Sequence, residues 1–528
     1  MTHARSAGIT ASAPAAKGRP APSPIRNVLS NWGAFVFSAV ASFFVAPFVV
    51  HSLGDATYGA WVLLGSMVGY LGLLDLGVRG AIMRYVARLH AAREHEEAGQ
   101  FASAGLFLFG ISSAIAILAG IGLAFSLEHF FDIPRHLLPE ARIAVVLSAS
   151  TIAVALLTGV YGGVVTAMQR FDLVSLCELC LELARITAVV LTLRAGMGLV
   201  ALAAIQLCVG LARFGVSFTL SRKLYPELSV IAGRWTRTHI RQILGFSLAS
   251  TALHSAAVVV LQLDALVVGA FLPVSMVTFF SIAGTLAHYG RVVVDGVTHT
   301  VPPRVSAQEG AGDMAGARRT ALVGGKVATL VHLPIVATFL LRGDTFIGLW
   351  MGPEYADLSG QVLMILSLAY WFIAGRQTLV TTLMGLNRHR VLIKPAWAEA
   401  VMNAVLSILL VRQFGVVGVA WGTTIPFLLT TIIFYPVLFS RTLGISLGEI
   451  WSEYWLRPSV AILPFAAFSY VIDLWWQPHS MLLFFGQVAT TLMLGLPAMW
   501  YVGLSADERS GVIDRMPVRM RLSVLARR

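Results

Sequence analysis

The residues able to do chemistry are a few charged and imidazole side chains set among apolar ones. His288, Arg291 and Asp295 follow one another at spacings of three and four, which places them on one face of a helix. Asp75, Arg79 and Arg84 lie where a long apolar stretch ends, with Arg88 one turn further on. His254 and Asp264 sit about three turns apart on a later stretch, within roughly 80° of each other around its axis. A charge inside hydrocarbon is costly unless it is paired or wetted, so each marks a polar chamber or an ion pair. The guanidinium forks of Arg79, Arg84 and Arg291 match a phosphate or diphosphate. Asp264 or His254 suits a coupling proton or sodium ion.

Each assignment has a plainer counterpart. Arg79 and Arg88 also fit a simple excess of cations in a loop. Arg291 and Asp295 also fit a pair that holds a helix near an interface, and Asp75 also fits as a partner for one of the nearby arginines. His254 also fits an interhelical hydrogen bond. Glu178, Glu182 and Arg185 form a ladder best read as a structural ion pair. Arg213, Arg376 and Lys394 look isolated and are expected to snorkel or to touch lipid headgroups.

The elements that position these groups follow from composition. Of 528 residues, 57% are hydrophobic and 12% charged, with mean hydropathy +0.78. Soluble domains carry about 25% charged residues, so the chain reads as an all-α integral membrane protein. The net charge of +12 is concentrated between apolar segments, where it reports topology and not nucleic acid. Three cysteines form no disulfide framework, and Cys177 and Cys180 lie within an apolar helix without nearby histidines. Gly324-Gly325-Lys326-Val327 lacks the spacing and the hydroxyl of a phosphate-binding loop. No zinc-protease motif or acidic metal cluster is present. The sequence therefore implies no cofactor, no metal and no covalent chemistry.

About 14 segments reach the roughly 20 residues needed to span a bilayer. The expected organisation is a disordered cytoplasmic tail over 1–31, a six-helix bundle over 32–222 and a cytoplasmic linker over 223–242. A second six-helix bundle follows over 243–440, then two extra helices over 441–504 and a basic cytoplasmic tail over 505–528. The N-terminal region lacks the apolar core of a cleaved signal, so the first span is expected to act as an uncleaved anchor. Placing both termini inside puts most Arg and Lys residues in cytoplasmic loops. External loops are then short, the longest running from Arg342 to Gly360.

An internal repeat accompanies this plan. The stretch from Ala167-Met168-Gln169-Arg170 to Gly198-Leu199-Val200-Ala201 recurs from Leu383-Met384-Gly385-Leu386-Asn387-Arg388 to Gly418-Val419-Ala420. The offset of about 217 residues spans six helices, an even number, so the two bundles are parallel repeats that face each other across a cavity.

Leu53-Gly54-Asp55-Ala56-Thr57-Tyr58-Gly59-Ala60-Trp61, the helix ending in Asp75-Leu76-Gly77 and the basic residue after it resemble the second helix of Wzx-type polysaccharide-biosynthesis flippases. These belong to the multidrug/oligosaccharidyl-lipid/polysaccharide flippase superfamily. Leu263-Asp264-Ala265-Leu266 resembles the seventh helix of that family, although Ala265 stands where a basic residue is common. The resemblance implies inner-membrane export of a polyprenyl-diphosphate-linked oligosaccharide for O-antigen, exopolysaccharide or capsule assembly by alternating access. The implied partners are that substrate, membrane lipids, a polysaccharide polymerase and a chain-length regulator, with no nucleic acid. A peptidoglycan-precursor flippase and a cation-coupled multidrug exporter are alternatives in the same superfamily. A membrane-embedded glycosyltransferase or polymerase is the alternative from another class, disfavoured by the short external loops.

Overall fold

The computed structural model describes residues 24–231 and 233–515. The expected tails therefore lie outside the described residues over 1–23 and 516–528. The first half comprises α1 (Pro24–Leu53), α2 (Asp55–Gly69), α3 (Val78–Ala92), α4 (His95–Phe130), α5 (Leu138–Ala167), α6 (Phe171–Arg194) and α7 (Leu199–Leu224). The second comprises α8 (Arg237–Phe271), α9 (Ser275–Thr298), α10 (Val301–Gly310), α11 (Met314–Trp350), α12 (Pro353–Tyr370), α13 (Ile373–Gly385), α14 (Ile393–Leu429) and α15 (Tyr435–Leu443). Then come α16 (Leu447–Trp451), α17 (Arg457–Trp475), α18 (Met481–Tyr501) and α19 (Ala506–Arg515). No strand occurs among the described residues.

Among the described residues, 10 helices are long and apolar enough to cross a membrane, or 11 when α12 and α13, bent by 46°, count as one span. The expected 14 would require α1, α6 and both arms of α14 to span as well. Two of these do not stand as separate apolar spans, for visible reasons. The α6 helix carries Asp172, Glu178, Glu182, Arg185 and Arg194, and α14 joins two helical arms across Gly415 (φ 59°, ψ −138°). That backbone geometry favours glycine.

The two halves share turn conformations as well as sequence. Gln169 (φ 56°) closes the turn between α5 and α6, and Asn387 (φ 53°) closes the one between α13 and α14. An arginine follows each. Gly196 (φ 76°) and Gly415 occupy the next turn in their respective halves.

The segment joining the halves is stitched to the first. Tyr225 and Leu228 are buried with Val86, Phe101 and Ile243, Arg234 pairs with Glu96 at 2.6 Å, and the Ile231 amide donates to Ser103 Oγ. Thr236 and His239 cap each other's turn to begin α8. Further along, Trp397 of α14 donates to the Ala252 carbonyl. Thus α8 starts on the first half and then packs against α14 of the second.

The loop expected over 342–360 is replaced by helix. The α11 helix continues to Trp350, with a single non-helical residue at Arg342 (φ −139°, ψ 25°). Arg342 is fully buried. Its Nε donates to Asp473 of α17 at 2.9 Å and its Nη2 to Gln487 of α18 at 2.6 Å. This pairing makes a charged residue compatible with the helix interior. At the other end of α11, buried Lys326 pairs with Glu453 and with Glu508 of α19. Two buried cations thus fasten the terminal helices to α11.

Candidate functional site

The Asp75 region is built by a break in the second span. After α2 the chain makes a 3-10 turn over Tyr70–Asp75. Left-handed residues Leu76 (φ 49°) and Gly77 (φ 71°) then restart it as α3. Across this break Arg79 Nε lies 3.6 Å from Asp75, while its Nη2 is 3.4 Å from the Ala155 carbonyl of α5. On α3 the apolar Val78, Ala81, Ile82, Val86 and Leu89 are buried. Arg79, Arg84 and Arg88 are exposed on the remaining surface, with Arg88 over the Tyr85 ring at 5.3 Å. Period-3.6 patterning therefore separates an apolar face from a cationic one.

On α9, Arg291 and Asp295 approach to 3.8 Å and are both partly exposed. Asp295 Oδ1 is nevertheless buried without a hydrogen-bond partner. His288, on the same face, is exposed. The stripe expected from sequence thus exists, with its cation and acid paired within one helix.

Asp264 occupies the seam between the halves. It is buried and accepts a 2.8 Å hydrogen bond from Thr423 Oγ1, which in turn accepts one of 2.8 Å from Asn403 Nδ2. Asn403 Oδ1 and Ser407 Oγ, one turn apart on α14, are buried without partners. No ion pair to Asp264 exists among the described residues. Tyr70 from the first half and Tyr370 from the second both lie within electrostatic range of Asp264, and Tyr370 also senses Arg291 and Asp295. The carboxylate, amide and hydroxyl oxygens form a donor set suited to a hard monovalent cation or a proton. Among the described residues no group of three His, Cys, Asp or Glu forms a transition-metal cluster. His254, about 15 Å from Asp264 along α8 at 1.5 Å per residue, is exposed.

At one end of the seam the halves are joined directly. Tyr355 of α12 donates to Asp55 Oδ1 at 2.5 Å, and Thr278 of α9 donates to the Asp55 carbonyl at 2.7 Å. His51 lies 3.6 Å from Glu354. Gly59 meets the Val274 carbonyl so closely that a Cβ there would overlap it.

Two pairings were not legible from spacing alone. Arg376 is no snorkelling residue: it pairs with Glu399 at 2.8 Å and stacks over Phe427 and Tyr435. Arg213 pairs with Glu178 at 2.6 Å. Glu182 and Arg185 form the expected ion pair in bidentate geometry. Asn403 and Thr423 carried no sequence signal, since a buried amide and hydroxyl resemble any helix-packing polar residue. The one pattern that could have drawn attention is Glu399, Asn403 and Ser407 at successive i, i+4 steps on α14.

Residues 25–307 match the family described as polysaccharide biosynthesis protein. The chain belongs to that family. Among curated members and relatives, membrane protein EpsK of Bacillus subtilis is 21% identical over 79% of this chain and 83% of its own length. A putative O-antigen transporter of Shigella flexneri is 21% identical over 76% of this chain and 95% of its own. The probable low-salt glycan biosynthesis flippase Agl15 of Haloferax volcanii is 22% identical over 77% and 82%. The same fold occurs in the lipid II flippase MurJ in an inward closed conformation (TM-score 0.67, 13% identity, 90% of this chain and 98% of that one). It occurs too in an inward-facing multidrug resistance MATE transporter (TM-score 0.68, 15% identity, 79% and 98%). The outward-facing form of a MATE transporter superposes with TM-score 0.58 (15% identity, 80% and 95%). As a member of the polysaccharide biosynthesis family with this fold, the chain is a multi-span membrane protein.

Proposed function

We propose that this protein carries a polyprenyl-diphosphate-linked oligosaccharide across the bacterial inner membrane for polysaccharide assembly. It is a transporter and performs no covalent chemistry. Both termini are cytoplasmic, so the Asp55–Tyr355 junction lies at the external face and the described conformation is closed to the outside. Arg79, Arg84 and Arg291, with His288, Asp75 and Asp295 around them, take the diphosphate in a chamber that opens to the cytoplasm. Rocking of the two halves then breaks the external junction. The observation that most supports this reading is Asp264, a buried carboxylate with no counter-ion among the described residues, held in the seam between two halves that are joined near Asp55. A coupling cation or proton at Asp264, Asn403, Ser407 and Thr423 would supply the missing charge and bias one arrangement of the halves.

A peptidoglycan-precursor flippase is the second reading, favoured by the likeness to MurJ over 90% of the chain. The two separate in a deletion strain. Lipid-linked repeat units of an extracellular polysaccharide should accumulate on the cytoplasmic face. Accumulation of peptidoglycan precursor instead would overturn the proposal in favour of the second reading.

A further inference from the structure

An apolar groove of about 720 Å³ runs along the seam between the halves, and no step above uses it. One wall is Met67, Tyr70 and Leu71 with the α4 residues around Gly122; the other is Leu266 to Phe271 of α8, joined by Ile408 of α14. On α8 the groove lining starts at Leu266 and Val267, within a turn of Asp264, and it ends near Phe130 and Phe271, at the face of the Asp55 junction. Gln262 packs across Gly69 and the Tyr70 hydroxyl donates to the Val259 carbonyl. Together these contacts partition the groove from the seam beyond it.

We infer that this groove holds the polyprenyl chain of the substrate, an assignment that rests on the lipid-linked substrate proposed above. Three features favour that occupant over bulk lipid. The walls come from both halves, so the groove changes width with their motion, as a tail that must follow its headgroup requires. It is continuous in sequence with a cationic end: from Tyr70 and Leu71 the 3-10 turn leads in four or five residues to Asp75, about 10 Å along at roughly 2 Å per residue, and Arg79 pairs with Asp75 across the following break. An anionic headgroup at those arginines and a long apolar chain along α2 match this polarity. The chain of a lipid whose headgroup lies at Arg79 must extend past the middle of the bilayer to reach Phe130, which suits a polyprenyl chain and exceeds an acyl chain of the same leaflet.

Gly122 provides a clean test. It is exposed, lines the groove, and has nothing within 4 Å of the position a Cβ would take. Gly110, on the same helix, is equally open but lies outside the groove and serves as a control. Full-length protein carrying p-benzoylphenylalanine at position 122 would be reconstituted in phosphatidylethanolamine–phosphatidylglycerol vesicles with a polyprenyl diphosphate, then irradiated. Adducts at 122 should be mainly isoprenoid and at 110 mainly acyl, and Gly122→Phe should slow lipid-linked glycan translocation at least fivefold while Gly110→Phe leaves it unchanged. Acyl adducts at 122 regardless of polyprenyl diphosphate, or wild-type translocation by Gly122→Phe, overturn the groove assignment. Wild-type protein that translocates no lipid-linked glycan in these vesicles overturns the transport proposal itself, so the two failures are told apart.

Discussion

Tyr355 and Asp55, 300 residues apart in sequence, share a 2.5 Å hydrogen bond that joins α12 of one half to the start of α2 in the other. With Thr278 on the Asp55 carbonyl and Gly59 against Val274, it closes the seam at that face. Few groups make the junction, which suits a contact that must break in each cycle.

Opening this junction should be achievable by one residue. Gly59→Val places a side chain where the Val274 carbonyl sits and holds the halves apart. An impermeant maleimide should then label Ser281→Cys, at a position whose hydroxyl donates to the Thr278 carbonyl one turn back on α9, several-fold faster than the same cysteine in a protein that keeps Gly59, both without native cysteines. Tyr355→Phe should produce a smaller increase, because it removes one hydrogen bond of the set. Unchanged labelling in Gly59→Val would mean that the junction is not the closure.

Removing the charge of Asp264 should separate ion coupling from folding. Asp264→Asn keeps a hydrogen-bonding group opposite Thr423 and discards the carboxylate. Transport should fall at least tenfold and lose its dependence on the sodium or proton gradient, with the thermal midpoint in detergent little changed. Retention of gradient dependence would remove Asp264 from the coupling site.

Arg342→Met should destabilise the protein by about 3 kcal/mol, the scale of breaking a buried ion pair, reduced by the partial exposure of Asp473. The loss arises mainly from leaving Asp473 and Gln487 unpaired. Combining Arg342→Met with Asp473→Leu should therefore recover part of it in thermal unfolding. Equal loss in single and double variants would point to packing against Phe484 instead.

The C-terminal helix should be released by acid. Burial would push the Glu508 carboxyl up, but the Lys326 ammonium, and the amide and hydroxyl of Ser505, outweigh it and hold the carboxyl below its ordinary 4.5. A depressed acid contributes stability that is fully present above 4.5 and is lost as pH falls through the folded value. Proteolysis of α19, followed against pH, should stay slow at pH 5 and accelerate well below 4.5. Glu508→Gln should abolish most of that pH dependence.

The fold was legible because membrane helices must satisfy their own backbone and advertise themselves by apolar length. The repeat was legible because its turns need particular residues: Gln169 and Asn387 both adopt left-handed backbone ahead of an arginine. Charged residues announced themselves by cost, yet sequence did not give their partners. Arg342, assigned to a loop, is buried because Asp473 and Gln487, over 130 residues later, supply its hydrogen bonds. Arg376 is likewise explained only by Glu399 on another helix. Short-range spacing offered Arg291 with Asp295 as one alternative and Asp75 with one of the nearby arginines, which in the fold is Arg79. The oxygen set around Asp264 spans three helical segments and had to be seen folded.

The most direct measurement is translocation of a fluorescent polyprenyl-diphosphate oligosaccharide in vesicles containing the purified protein, compared with Arg84→Ala and Arg291→Ala. Wild type should move the lipid across the bilayer, and each variant should lose at least tenfold of that rate while reconstituting normally. Wild-type rates in both variants would contradict the cationic chamber on which the account depends.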